Sequence, residues 1–205
     1  MKKNHLFTSA LLSCVLLAST FSACNGNNDS KHNGKDADST TVVADAATTL
    51  PDSTGYIVRV GQMAPDFNVT LTNGKKVNLA GLRSKVVMLQ FTASWCGVCR
   101  AEMPHIESEI WQKHKDNPHF VLIGIDRDEP LEKVVKFGES VGVTYPLALD
   151  PSADVFAKYA LRESGITRNV LIGRDGKIVR LTRLYNEEEF AALVKDIDAL
   201  LAKKN

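Results

Sequence analysis

Apolar positions follow a strand period and then a helical period through the C-terminal part of the chain. Residues 67–71 and 76–79 flank Asn73-Gly74, a dipeptide that favours a tight hairpin turn. Residues 85–91 then form a short apolar, β-branched run that is typical of a buried strand. This part of the chain therefore predicts a hairpin followed by a central strand.

Beyond the central strand the apolar period becomes helical. Met103, Ile106 and Ile110 are separated by three and four residues, so they lie on one face of a helix that begins near Val98 and ends near Lys115. Strand followed directly by helix is the first half of a βαβ unit, which places the start of the helix at the carboxyl end of the strand.

The rest of the chain repeats this alternation and closes with a second hairpin. The predicted elements are a strand at 120–126, a helix at 131–141, a short helix at 153–159, strands at 170–172 and 178–184, and a final helix after Asn186. Asn186 and Glu189 have the spacing of a capping box at the start of that helix. This order predicts an α/β fold.

Two cysteines, Cys96 and Cys99, lie where the central strand passes into the first helix. A helix N-terminus favours a thiolate, which is the nucleophile in disulfide exchange, so Cys96 is the predicted attacking sulfur. Cys99 lies three residues further along the helix and can close an intramolecular disulfide, so it is the predicted resolving sulfur.

Other roles for a cysteine pair fit the sequence less well. A zinc site needs two further ligands at matching spacing, and the chain has no second Cys-x-x-Cys motif and no downstream Cys/His pair. A structural disulfide across two intervening residues would add little stability, because the stabilisation grows with loop length. A redox-active pair is therefore favoured.

The segment around the cysteines resembles the TlpA/ResA-like branch of the thioredoxin superfamily, a group of membrane-tethered thiol-disulfide oxidoreductases. The similarity includes Trp95, Glu102, Pro104 and the segment 60–67, which is similar to the Gly-x-x-Ala-Pro-Asp-Phe start shared with peroxiredoxins. It covers roughly residues 56–205. It implies a thioredoxin-like fold in which helices flank a central mixed β-sheet, with an N-terminal β-hairpin extension.

Expectations for three positions near the dithiol follow from the resemblance. Glu102 is expected either to handle protons at the dithiol or to lie on a solvated helix face, and both alternatives stay open. Gln90 stands where thioredoxin has a buried acid, and a neutral amide cannot act as that base. Trp95 is expected to present an apolar rim to partners or to be part of the core.

The chain departs from the family opposite the cysteines. Family members usually have a cis-proline facing the pair, whereas this chain has Thr167 at that position, between Ile166 and Arg168. We treat these three residues as candidates for substrate binding or tuning. The Thr167 hydroxyl and the Arg168 charge are expected to lower the pKa of Cys96, unless Arg168 points to solvent.

The N-terminal residues predict an export signal rather than part of the fold. An apolar stretch diluted with Ser and Thr runs from Leu6 to Ala23 and ends at Cys24. We expect residues 1–23 to be a lipoprotein signal peptide and Cys24 to carry the lipid, with an ordinary signal peptide as the alternative. Residues 24–55 lack aromatic residues and a sustained apolar period, which predicts a disordered tether.

These features predict a lipid-anchored enzyme of the bacterial cell envelope that faces the periplasm. Structural disulfides form there without help, so we expect a protein-disulfide reductase supplied by a membrane electron-donating thiol protein. The resemblance implies substrates such as apocytochrome c or other oxidised envelope proteins, and no cofactor beyond the Cys96–Cys99 disulfide. A formal net charge of +1 gives no indication of nucleic-acid binding.

Two other functions on the same fold stay open. A peroxiredoxin-like thiol peroxidase would need proline and threonine seven and three residues before the cysteine, where this chain has Leu89 and Ala93. A copper-binding assembly protein would use a downstream histidine, and this sequence has none beyond His119.

Overall fold

The computed structural model of the chain describes residues 54–203. The predicted signal peptide, the Cys24 lipidation site and almost all of the predicted tether lie outside the described residues. Within the described part of the chain, no helix has both the length and the apolar character needed to cross a membrane.

The described residues form seven strands and four α-helices around one sheet. In chain order these are β1 (Asn68–Leu71), β2 (Lys76–Asn78), β3 (Val86–Thr92), α1 (Gly97–His105), a π-helical segment (Ile106–Trp111), α2 (Gln112–His114), β4 (Phe120–Arg127), α3 (Leu131–Val141), β5 (Leu147–Asp150), β6 (Arg168–Ile172), β7 (Ile178–Arg183) and α4 (Glu187–Ala202). Short 3-10 turns occur at Ala80–Leu82 and Phe156–Lys158.

The strands form a single mixed sheet in the order β2-β1-β5-β4-β3-β6-β7. The three central strands β3, β4 and β5 are parallel, and the pairs β1/β2 and β6/β7 add antiparallel hairpins at the two edges. Both predicted hairpins are therefore confirmed. Their turns use Gly74 and Gly176 at positive φ of 84° and 79°, a conformation that glycine adopts without steric cost.

The helices lie mainly on one face of this sheet. The segments containing α1 and α3 connect neighbouring parallel strands in the same direction, and because such crossovers are right-handed, both helices cover the same face. Thr92 faces them, with its Oγ1 3.5 Å from the Met103 Sδ. Phe91 faces the other side and packs against the rings of Phe156 and Tyr159, at centroid distances of 5.4 and 5.5 Å. The central strand is thus buried on both faces.

The helix that carries the cysteines changes its hydrogen bonding after Pro104. Proline has no N–H to donate, and the Ile106 N–H donates to the carbonyls of both Glu102 and Met103 before the helix widens into the π-helical segment. The helix is thus disturbed at Pro104, and the helical path still ends at His114, close to the predicted end near Lys115.

One predicted element needs correction, and one strand was missed. The short helix at 153–159 is only a 3-10 turn at Phe156–Lys158, and the strand β5 was not predicted because four residues are too few to show a period. The buried residues of α3 are Val134, Phe137 and Gly138, whereas the apolar side chains of Leu131 and Val135 are exposed. The Asn186 cap is confirmed, since its Oδ1 accepts from the Glu189 N–H at 3.0 Å.

Candidate active site

The cysteine pair lies at the carboxyl end of β3, where α1 begins. Cys96 is the N-cap residue of α1, and its Sγ accepts a hydrogen bond from the Cys99 N–H at 3.1 Å. The two sulfurs form a disulfide, and the Cα atoms are 5.3 Å apart. Cys96 is 7% exposed and Cys99 is 0% exposed. Cys96 lies at the helix N-terminus and is the more exposed of the two cysteines, as expected for the attacking sulfur. Cys99 is fully buried, as expected for the resolving sulfur.

Thr167 faces both sulfurs from the residue before β6. Its Oγ1 lies 3.1 Å from the Cys96 Sγ and 3.3 Å from the Cys99 Sγ, and the side chain is buried. Its carbonyl accepts a hydrogen bond from the Leu184 N–H at 3.1 Å, which ties this position to the end of β7. A hydroxyl at hydrogen-bonding distance can donate to the thiolate that forms when the pair is reduced.

Arg168 does not lie near the sulfurs, and this corrects the expectation that it tunes Cys96. Successive side chains of a strand point to opposite faces, so Arg168 points away from the face that Thr167 occupies. Its guanidinium carbon lies 4.5 Å from the Tyr56 ring centroid, its Nη2 donates to the Thr54 carbonyl at 2.6 Å, and its Nε donates to the Gly165 carbonyl. The alternative of a solvent-exposed Arg168 is also wrong, because the residue is 0% exposed.

Glu102 lies on the buried face of α1, one turn beyond Cys99. It is 1% exposed, and its Oε1 accepts a hydrogen bond from the Asn169 Nδ2 at 2.6 Å. Burial raises the pKa of Glu102 to about 7, against the lowering effects of the Asn169 and Gln90 amides and of the His105 charge. The solvated helix face considered from the sequence is therefore excluded, and the carboxyl group can exchange a proton near neutral pH.

A buried tyrosine orients the Gln90 amide toward this carboxyl group. The Tyr145 hydroxyl donates to the Gln90 Oε1 at 2.6 Å, so the NH₂ end of the amide is turned away from Tyr145. Burial is the main reason that the pKa of Tyr145 lies well above its ordinary value. The hydroxyl therefore stays protonated and remains a donor. Gln90 thus acts in this site as an oriented amide, not as a base.

Asn169 is the contact of Glu102 that the sequence analysis missed. It lies two residues after Thr167, so both side chains point to the helical face of the sheet. The Asn169 Nδ2 also donates to the Thr182 Oγ1 at 3.0 Å, which fixes the amide between β7 and the carboxylate of Glu102. The two-residue period from Thr167 was the signal in the sequence that could have identified this residue.

The surface around the cysteines carries exposed apolar side chains. Trp95 is 57% exposed, and its ring centroid lies 5.8 Å from the Arg127 guanidinium carbon. Val98 and Leu184 are also exposed. Ile166 is buried, so its side chain packs in the core and is not available to a partner.

The arrangement supports two-electron thiol-disulfide exchange. It supplies an accessible sulfur at a helix N-terminus, a buried second sulfur, a hydroxyl between them and a buried acid that titrates near neutral pH.

Comparison with known proteins places the chain among redox proteins. The Redoxin family pattern matches residues 59–201. The thiol-disulfide oxidoreductase ResA of Bacillus thuringiensis is 34% identical over 122 residues, which are 60% of this chain and 68% of the relative. ResA of Bacillus subtilis is 31% identical over 121 residues, or 59% of this chain and 65% of the relative.

Two solved structures show the same fold. The solution structure of a proposed protein disulfide isomerase from Bacteroides thetaiotaomicron is 74% identical, with a TM-score of 0.72, and the match covers 74% of this chain and 95% of that one. The crystal structure of a proposed thiol:disulfide interchange protein DsbE from Chlorobium tepidum is 28% identical, with a TM-score of 0.62 and coverages of 71% and 99%.

Proposed function

The chain belongs to the Redoxin family, and from this premise we propose that it reduces disulfides of exported proteins in the bacterial cell envelope. It is a thiol-disulfide oxidoreductase with a thioredoxin-like fold, similar to ResA and DsbE proteins. The observation that carries the proposal is the buried Glu102, one turn beyond the resolving Cys99, with its pKa raised by burial to about 7. A dithiol with its own buried proton acceptor is equipped to deliver electrons at neutral pH.

The first step of the proposed reaction is attack by the Cys96 thiolate on a substrate disulfide. A new bond forms between the Cys96 Sγ and one substrate sulfur, and the other substrate sulfur leaves as a thiolate that takes a proton from water. The Cys99 N–H and the Thr167 hydroxyl stabilise the attacking thiolate by donating to it.

In the second step Cys99 resolves the mixed disulfide. The Cys99 thiol gives its proton to the Glu102 carboxylate and attacks the Cys96 Sγ, and the second substrate sulfur leaves as a thiolate. Two electrons have then passed from the dithiol to the substrate, and the enzyme holds the Cys96–Cys99 disulfide seen in the structure. Glu102 later returns its proton when a thiol donor reduces this disulfide.

The location and partners of the enzyme complete the proposal. A lipid at Cys24 would hold the protein on a membrane with the catalytic domain facing the periplasm, and multiple acyl chains are needed for stable anchoring. Oxidised envelope proteins, including apocytochrome c, would be substrates, and a membrane thiol protein would supply the electrons. The sequence of the N-terminal region supports the proposed location, and the names of the ResA and DsbE relatives support thiol-disulfide exchange with other proteins.

Disulfide isomerisation is a second candidate because the 74% identical structure is described as a proposed isomerase. An isomerase releases the substrate from the mixed disulfide by attack of another substrate thiol, and it needs no net electron supply. A reductase needs Cys99 in every turnover, whereas an isomerase with Cys96 alone retains activity on a scrambled substrate that already holds free thiols.

The reduction potential of the Cys96/Cys99 couple tests the direction of electron flow. The protein is equilibrated with dithiothreitol or glutathione buffers, and the fraction of the Cys96–Cys99 disulfide is read by peptide mass spectrometry, which separates this pair from Cys14 and Cys24. A potential near the thioredoxin value of about −270 mV supports the reductase. A value near about −120 mV would make the protein an oxidant and would overturn the proposal.

A further inference from the structure

A second buried carboxyl group holds the loop that precedes Cys96. Glu129, in the connection between β4 and α3, accepts hydrogen bonds from the Ser94 N–H at 2.6 Å and from the Ser94 Oγ at 2.7 Å. The Lys133 Nζ lies 2.5 Å from the Glu129 Oε1, and the Glu129 side chain is only 2% exposed. From α1, the Arg100 Nε donates to the Ser94 carbonyl at 3.0 Å. The backbone N–H and the backbone carbonyl of Ser94 are thus both held by charged side chains.

Asp126 lies beside this contact and is not used by the proposed reaction. It is the partner of Thr92 in the β3/β4 register, so its side chain faces α1 and α3, as that of Thr92 does. The residue is 0% exposed, and among the described residues no N–H or hydroxyl group donates to either carboxyl oxygen. An unpartnered buried carboxylate is costly, so a neutral, protonated Asp126 is favoured.

The charges around the two acids separate their protonation states. Burial would raise the pKa of Glu129, but Lys133 and the Ser94 donors overcome this effect and hold it below its ordinary value. Burial raises the pKa of Asp126 to about 8, the Glu129 and Asp128 carboxylates add to the rise, and Lys133 opposes it. Two further charged groups lie near the loop: Arg100, which α1 contributes, and Arg127 of β4, whose guanidinium lies over the Trp95 ring. At neutral pH Glu129 is therefore ionised while Asp126 keeps its proton.

We propose that Asp126 and Glu129 form a carboxyl pair with one negative charge beneath the Cys96 loop, which positions that loop and sets the pH range in which Cys96 forms a thiolate. The inference rests on the proposed exchange reaction at Cys96. Glu129 supplies the positioning contact through Ser94. When the pH rises, Asp126 loses its proton to water, and the second negative charge disfavours the Cys96 thiolate, so the two groups titrate as coupled sites.

The positioning role is tested by hydrogen exchange of the Ser94 amide in the full chain. Glu129→Gln removes the charge and turns an NH₂ group toward one of the Ser94 donors. We expect exchange of the Ser94 amide to accelerate about tenfold or more, which corresponds to the loss of one hydrogen bond to a charged group. Equal protection of Ser94 in both proteins would overturn the proposal.

The charge role is tested by the pH dependence of Cys96 alkylation. Iodoacetamide modification of Cys96 is followed by peptide mass spectrometry in a Cys99→Ser background, so the assay needs no protein substrate. Asp126→Asn keeps the side-chain shape and prevents ionisation, and we expect it to shift the midpoint of the alkylation curve to lower pH by a few tenths of a pH unit.

A matched control separates this effect from a general change in acidic charge. Glu132→Gln removes an exposed carboxylate from the first turn of α3, and this carboxylate does not contribute to the shifted pKa of either Asp126 or Glu129. We expect this variant to follow the parent curve. Superimposable alkylation curves for Asp126→Asn and the parent would overturn the proposal. If the reduction potential of the Cys96/Cys99 couple were still near the thioredoxin value, the oxidoreductase function would stand even though Asp126 did not affect Cys96.

Discussion

Replacing Glu102 by glutamine tests the buried acid through the pH dependence of stability. The pKa of Glu102 is raised from 4.5 to about 7, chiefly by burial. Below pH 4.5 the group is protonated in both the folded and the unfolded chain. Between that pH and about 7 only the unfolded chain releases the proton, so the folded state loses stability. Each unit of pKa difference is worth about 1.4 kcal/mol, so the loss totals about 3 kcal/mol above pH 7.

Glu102→Gln should abolish this pH-dependent loss. Glutamine keeps an oxygen that can accept from Asn169, so the change removes the titration and retains the main contact. Urea unfolding of the oxidised protein, followed by tryptophan fluorescence from pH 4 to pH 8, gives the free energy of unfolding at each pH. We expect the free energy of the variant relative to wild type to rise by about 3 kcal/mol between pH 4 and pH 8.

A control variant and a kinetic measurement test whether the effect comes from the buried proton of Glu102. Glu163→Gln changes an exposed glutamate of a turn, and its difference from wild type should be independent of pH. Glu102→Gln should also slow release of the substrate from the mixed disulfide by about a hundredfold near pH 7, in the range of a lost general base. A stability difference that is the same at pH 4 and pH 8 would refute the assignment of a buried proton to Glu102.

Substitutions at three further positions test the roles of Cys99, Thr167 and Arg168. Cys99→Ser should accumulate a mixed disulfide between Cys96 and the substrate, visible on non-reducing gels, and rapid release of substrate would contradict the resolving role. Thr167→Val should raise the pKa of the Cys96 thiol and slow its alkylation about tenfold at pH 6, because a hydroxyl donor is lost, whereas Thr167→Ser should retain the wild-type rate. Arg168→Met should leave the Cys96 titration unchanged but lower the free energy of unfolding by about 3 kcal/mol, because two hydrogen bonds to carbonyl groups and the contact with the Tyr56 ring are lost. A shifted thiol titration would contradict the placement of Arg168 away from the sulfurs.

The local pattern of the chain was sufficient for most of the elements near the site. Hairpins were predictable because their glycine turns are local, and the first helix because its buried residues recur at helical spacing. The strand β5 was missed because four residues show no period, and it is held by pairing with β4 and β1, which are distant in sequence.

The dithiol was predictable because both cysteines and the helix start lie within one short segment. The distant contacts were only partly predictable. Thr167 was placed opposite the cysteines through the family resemblance, but Arg168 was misplaced because the strand alternation was not applied to the two residues together.

The sequence by itself determined the strand-to-helix junction, the redox-active cysteine pair and the residue types that surround it, since these depend on neighbours along the chain. Only the tertiary structure decided which acids are buried beside that pair. Glu102 acquires its raised pKa from burial against the sheet, where Asn169 meets it across 67 residues. Glu129 reaches Ser94 across 35 residues. Desolvation and long-range hydrogen bonds exist only after the sheet has assembled, so no local pattern encodes them.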